Sequence, residues 1–232
     1  VRIFSGGRFD RGGRFYRGWW ENVPSEYRKY ITIDGKRTNE YDYSQLNPHM
    51  VYILRERELG SEDAYGRVFD GEHRDLVKEA FNAMVQSAKP LLKEPRDIDL
   101  SEVDFDWPFL RQAILDAHKP IQDMFFKGHG NYLQYIDSVM AEDIMLKFVK
   151  SEFAPVLPVH DSFIVHYGHG DLGDLEEDMR RAFHGHFKKD INVKKEIGVM
   201  LPSSFDGKDW DELSFEEQVY GPPRYSGWEN RN

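Results

Sequence analysis

Two aspartates stand at positions where chemistry is plausible: Asp42 near the end of the alternating run TNEYDY, and Asp161 between the apolar runs PVLPV and SFIVHY. Carboxylates at the ends of neighbouring strands can hold two magnesium ions about 4 Å apart, an arrangement that activates an attacking hydroxyl and neutralises a leaving pyrophosphate in phosphoryl transfer. Between them in sequence, Arg74 and Lys78 are four residues apart, so one helix face would offer two cations to a triphosphate. Each piece alone is ordinary, since strand-end aspartates commonly serve turns and Arg/Lys pairs commonly face solvent. The chain has no cysteine. That excludes a disulfide framework, thiolate zinc and a thiol nucleophile, and leaves metal chemistry to oxygen and His ligands.

The elements that must position these residues follow from periodicity. Residues 38–46 read as a strand ending at a turn, with Pro48 opening a helix. From Glu72 to Ser87, Leu76, Val77, Ala80, Phe81, Met84 and Val85 recur at helical spacing, so Arg74 and Lys78 lie on a helix. Asp106 is placed to cap a helix from Pro108 that breaks near Pro120 and runs on to about Lys127. A long helix is expected over 131–150, with Ile136, Val139, Met140, Ile144, Leu146, Phe148 and Val149 as core candidates. The period then changes to two, as in a hairpin whose tight turn presents His160 and Asp161, with Pro158 demanding an edge or bulged strand. A helix over 172–188 and a strand over 193–200 complete an α+β domain built on one antiparallel sheet, with no boundary between independent cores.

The 232 residues carry a net charge of −10, with 40% apolar and 14% aromatic residues, enough to bury a core. No stretch reaches the roughly 18 apolar residues of a membrane span, and the first 20 residues lack a signal-peptide core, so the expectation is a soluble, cytoplasmic protein. Charge is uneven. Residues 1–37 hold nine Lys and Arg against four Asp and Glu, a net +5, which leaves −15 on the remaining 195. A basic edge on an acidic body suits a polyanion held along one side, through Arg8, Arg11, Arg14, Arg17 and Arg28, although a solvated terminus would show the same bias. The opening SGGRFDRGGRFYRGWW repeats GGRF, as a disordered RGG-like segment or a loop laid along a duplex would; its two tryptophans favour order.

Together and in this order the motifs resemble family A DNA polymerases, the bacterial DNA polymerase I type, over about residues 13–190. Glu21-Asn22-Val23-Pro24 is similar to that family's QNIP, and Asp42-Tyr43-Ser44-Gln45 to the first catalytic motif, DYSQIE. Arg74-x3-Lys78 is similar to the triphosphate-gripping fingers helix, Ala141-Glu142-Asp143 to the AAD helix, and Val159-His160-Asp161-Ser162 to the second motif, VHDE. The resemblance implies a palm-like antiparallel sheet with reduced fingers and no thumb. It would divide the chain into a basic nucleic-acid-contacting segment (1–37), palm with the first motif (38–70), fingers (71–130), palm with the second motif (131–202) and a peripheral tail (203–232). It implies a DNA polymerase extending a primer on a template, DNA more than RNA, with dNTP or rNTP, two Mg²⁺ ions for which Mn²⁺ can substitute, and a second chain supplying a thumb or processivity. Asp42, Asp161 and the Tyr43 carbonyl would be the metal ligands; Arg74, Lys78 and Asn47 would meet the nucleotide; Arg14, Asn22, Arg28 and His160 would face the nucleic acid.

The departures bear on specificity. Asn47 stands where the family's Glu excludes the ribose 2′-hydroxyl, Ser162 stands for the Glu of VHDE as in single-subunit phage RNA polymerases, and Gln86-Ser87 replaces the Tyr-Gly that stacks under the nascent pair. An RNA polymerase or primase of the phage type, or a degenerate palm that only binds nucleic acid or a partner, are therefore the alternative expectations.

Overall fold

The computed structural model describes residues 1–60, 62–152, 154–168 and 174–199. The expected tail over 203–232 and the last residue of the expected strand over 193–200 lie outside them. The fold is α+β. Where the sequence suggested no boundary, the described residues gather into two compact units: a sheet unit of Val1, Phe15–Ser44 and the residues from Met140 onward, and a helical unit of Arg2–Arg14 and Gln45–Val139. The physical reason is that the segment between β-rich stretches carries its own apolar faces and closes a core with them.

In the sheet unit, five described strands are antiparallel: β3 (Thr32–Ile33), β4 (Lys36–Tyr43), β5 (Val156–Val159), β6 (Ser162–His166) and β7 (Val193–Ile197). One edge of β4 pairs with β6; the other is shared by β3 and β7. β5 pairs with β6. Pro158, which cannot donate to a ladder, therefore sits in an outer strand, as its chemistry requires. Every residue of β6 is buried, the apolar Phe163, Ile164 and Val165 together with the polar Ser162 and His166 at its ends. Helix α6 (Asp174–Phe187) buries Leu175, Met179 and Phe183 at helical spacing. A short helix α1 (Ser25–Arg28) precedes β3.

In the helical unit, β1 (Arg2–Phe4) pairs with β2 (Gly12–Phe15), and both glycine pairs of the GGRF repeat have a structural use. Gly6, Gly7, Gly12 and Gly13 all have positive φ, and a Cβ on Gly13 would stand 2.8 Å from the Phe4 ring. Helix α2 (Leu46–Leu54) is followed by α3 (Arg74–Gln86), whose buried Val77, Ala80, Phe81, Met84 and Val85 repeat the expected stripe. Each such buried side chain contributes roughly 1.5 to 3 kcal/mol relative to exposure. Asp106 accepts the Phe109 N–H and caps α4 (Trp107–Ala117), after which Pro120 limits the chain to a 3-10 segment over Lys119–Met124.

Helix α5 (Gly130–Glu152) begins in this unit and ends in the other. Its buried stripe runs through Leu133, Ile136, Met140, Ala141, Ile144 and Phe148; Leu146 and Val149, expected in the core, are 52% and 46% exposed. They fall about a third of a turn or more off the stripe, which the unpatterned middle of the helix concealed.

One polar chain is buried in the helical core. Arg67 donates to the Tyr52 hydroxyl at 3.1 Å, and that hydroxyl lies 3.0 Å from Nδ1 of His118, which is fully buried against Phe81 and Phe125. A hydroxyl that accepts from Arg67 has its own proton to give, so Nδ1 is the acceptor and the imidazole is neutral. Burial, with the Arg67 charge adding to it, pushes His118 down to about 4. Because the unfolded chain takes up this proton near pH 6.5 and the native state only near 4, stability falls as pH drops through that window, by about 3 kcal/mol at most. Urea unfolding measured from pH 7 to 4 should show that decline, and His118→Gln, less stable at pH 7, should show a flatter slope; an unchanged slope would mean other groups control it.

Candidate active site

The site is built on the register of β4. Asp42 is paired with Ser162 of β6 on one side and with Lys194 of β7 on the other. Since β5 and β6 pair Val159 with Ser162, the two residues between them, His160 and Asp161, form the hairpin turn. The Tyr43 N–H reaches the Asp161 carbonyl at 3.5 Å, so the strand end carrying Asp42 and the turn carrying Asp161 are direct neighbours. The two aspartates that are 119 positions apart in sequence are thus brought together. Both are half-buried.

Several contacts hold this corner still. The Tyr43 side chain is 2% exposed and its hydroxyl donates to the Met179 carbonyl of α6, while the Ser44 N–H donates to Asn192 ahead of β7. His160 adopts φ 57°, a left-handed conformation that costs a non-glycine residue on the order of 1 kcal/mol and persists where surrounding structure imposes it. Its ring meets the edge of Tyr16, centroids 6.0 Å apart. Trp20 donates its indole N–H to the Pro158 carbonyl at 2.9 Å, so the aromatic segment after the first arginines is ordered against β5.

Two residues near Asp42 were not among the sequence candidates. Glu40, two positions before Asp42 and so on the same strand face, accepts from Arg28 at 2.8 Å and from the Ser162 hydroxyl at 2.7 Å. Lys194 is the register partner of Asp42 itself. The alternation EYD was a readable signal for Glu40; Lys194 had none, because pairing between distant strands is not written locally. Arg28, expected to face nucleic acid, is 19% exposed and committed to Glu40. Asn22 is exposed at the end of a 3-10 turn over Trp19–Asn22.

Among the described residues no group of three or more His, Asp or Glu side chains is arranged to enclose a metal ion. Two half-buried carboxylates and backbone oxygens nonetheless fit magnesium, which keeps several waters and binds through one or two carboxylates plus substrate phosphates. They do not fit a closed protein cage of the calcium or zinc kind.

The nucleotide candidates lie in the helical unit. Arg74 opens α3 and Lys78 follows one turn later, exposed. Arg74 is bound in two places by Asp63, at 2.6 and 3.3 Å, and that hydrogen bond pushes its pKa further up. Burial works against a charged Asp63, but the bonds from Arg74 and from the N–H groups of Tyr65 and Gly66 outweigh it and hold the carboxyl below its ordinary value. Asn47 donates to Asn82 at 3.0 Å, one turn beyond Lys78, and both line a small pocket with Arg14, Gln86 and Gln134. Arg14, expected at the nucleic acid, instead pairs at 2.6 Å with Asp137, whose side chain is 2% exposed.

No family profile and no curated protein matches the sequence. Among solved structures the chain is similar to the POL domain of Pol1 from M. smegmatis, in a complex with DNA primer-template and dNTP, at 16% identity and a TM-score of 0.49. The similarity covers 77% of this chain and 43% of that one, so the chain spans less than half the neighbour's length.

The Arg14 geometry makes a prediction about stability. Arg14→Ala removes the counter-charge from a carboxylate out of water, so it should cost about 2 to 3 kcal/mol in urea unfolding, and Arg14→Lys should recover part of that. A contact made only to phosphate would leave the unfolding free energy unchanged.

Proposed function

We propose that the chain is a template-directed nucleotidyltransferase that extends a primer by metal-assisted phosphoryl transfer. The observation that carries the proposal is the adjacency of Asp42 and Asp161, one at a strand end and one in the neighbouring hairpin turn. The order of DYSQ, R-x3-K and VHD along the chain supports it. Asp42, Asp161 and the Tyr43 carbonyl would hold Mg²⁺, with Mn²⁺ able to replace it; the ions would lower the pKa of the attacking 3′-hydroxyl and offset charge on the leaving pyrophosphate.

The protein's own groups have separable roles on this proposal. The β4 ladder and the Tyr43 anchor hold the carboxylates in fixed directions, so little reorganisation accompanies binding. Ser162 and Arg28 hold Glu40, and on this proposal Asp42 is the metal ligand of that strand face. Lys78 and Arg74 would meet the triphosphate, Asp63 setting the direction of the Arg74 guanidinium. Arg11 and Arg17 are exposed and suit phosphates of a primed template. His160 would stand beside the primer end.

A second proposal, a phage-type RNA polymerase or primase, has a specific observation in its favour. Asn47 bonds side chain to side chain with Asn82, both neutral amides, so no carboxylate at that position opposes a ribose 2′-hydroxyl. A degenerate palm that binds without catalysis would have no use for the paired aspartates and Lys78.

Primer extension with dNTP and rNTP in separate reactions tests the proposal. Extension should require Mg²⁺ or Mn²⁺ and fall at least about a thousandfold in Asp42→Ala and in Asp161→Ala, with circular dichroism unchanged. Near-normal extension by either variant would remove the assignment. Natural discrimination against rNTP should be weak, and Asn47→Glu should raise the dNTP/rNTP ratio of kcat/KM about tenfold or more; strong discrimination in the natural protein would assign the sugar filter to another residue.

A further inference from the structure

On the helical unit, next to Arg74, four rings meet at the surface. Phe105 lies 5.2 Å from Phe69, 5.6 Å from Phe109 and 5.5 Å from His73, centroid to centroid, and the Phe69 and Phe109 rings are parallel within 2° at 6.2 Å. Phe109 is 55% exposed, His73 is exposed, and Phe69 and Phe105 are half-buried. The core of α4 does not need these rings, because Trp107, Leu110 and Ile114 already fill its inner face. Clustered exposed aromatics of this kind mark a contact surface.

The charge around the rings states what they would contact. Within two residues of a ring stand Asp70, Glu72, Asp75, Asp104 and Asp106, all exposed. The three arginines equally close already have partners in the chain: Arg67 bonds Tyr52 and Glu62, Arg74 bonds Asp63 and stands 3.9 Å from Asp75, and Arg111 bonds the Leu91 carbonyl. A strand of nucleic acid needs aromatic rings inside a cationic groove, and here the rim would repel its phosphates. A guanidinium is weakly hydrated, stacks on aromatic faces and pairs with carboxylates, so it satisfies both the rings and the rim.

We propose that the Phe69–His73–Phe105–Phe109 patch docks an arginine-rich segment of a protein partner, the guanidinium groups stacking on the rings and pairing with the acidic rim. Docking of such a segment does not require nucleotidyl transfer, although Arg74, next to His73, borders the patch.

The test uses fluorescence anisotropy at about 150 mM salt with three labelled probes: an Arg-Gly repeat peptide, the matching Lys-Gly peptide and an oligo-dT strand. The arginine peptide should bind more tightly than the lysine peptide. Phe109→Leu, which keeps apolar surface but removes the ring, should weaken the arginine peptide roughly tenfold, and Phe109→Tyr should retain it. Glu72→Gln with Asp104→Asn should weaken both peptides. Equal affinity for the arginine peptide in the natural chain and Phe109→Leu would mean general attraction to an acidic body and would overturn the proposal. Loss of oligo-dT binding in Phe109→Leu, with peptide binding intact, would overturn it in favour of a nucleic-acid platform.

Discussion

The ladder register of β4 is the constraint on which the candidate site depends. A strand has a side-chain period of two, so a slip of one residue would turn Asp42 and Glu40 to the opposite face and bring Tyr41 and Tyr43 out of the core. The chain resists such a slip from three directions. β6 pairs with one edge of β4, β3 and β7 with the other, and the Tyr43 hydroxyl is tied to the backbone of α6. Burial adds to this, because Tyr41 is 1% and Tyr43 2% exposed while the residues between and beside them are not. Two carboxylates half out of water repel one another, and a strongly over-determined backbone is what keeps them adjacent.

The charge asymmetry of the chain has a different meaning in three dimensions than it had in one. Of the nine cations in residues 1–37, Arg2 bonds the Gly13 carbonyl and Ser138, Arg8 bonds Asp10, Arg14 bonds Asp137 and Arg28 bonds Glu40. Arg37 lies 3.8 Å over the Tyr167 ring. Much of the local +5 goes into ordering the segment that carries it, and two of its aromatics, Tyr16 and Trp20, meet the hairpin turn and β5. Cation-rich sequence here builds structure first, and Arg11 and Arg17 are among the charges it leaves exposed.

Local rules made the elements legible. The stripe from Val77 to Val85, the Asp106 cap, the two-residue turn at His160 and Asp161, and the outer-strand position of Pro158 all follow from spacing or from the chemistry of one residue, and all are present. What was not legible depends on partners distant in sequence. The pairing of Lys194 with Asp42, the capture of Arg28 by Glu40 and of Arg14 by Asp137, and the Arg67–Tyr52–His118 chain join positions 12 to 152 residues apart. The separation into two units was hidden for the same reason, since each apolar stripe is visible alone but not the stripe it meets. Leu146 and Val149 show the limit from the other side: apolar residues on a long helix are not a core unless they share its face.

The central claim is that Asp42 and Asp161 together bind divalent metal in company with a nucleoside triphosphate. Electron paramagnetic resonance of Mn²⁺ titrated into the protein with a dNTP measures this without requiring turnover. The account predicts bound Mn²⁺ whose affinity rises when dNTP is present and falls by an order of magnitude or more in both Asp42→Asn and Asp161→Asn. Manganese binding that is indifferent to dNTP, or that survives in either variant, would contradict it.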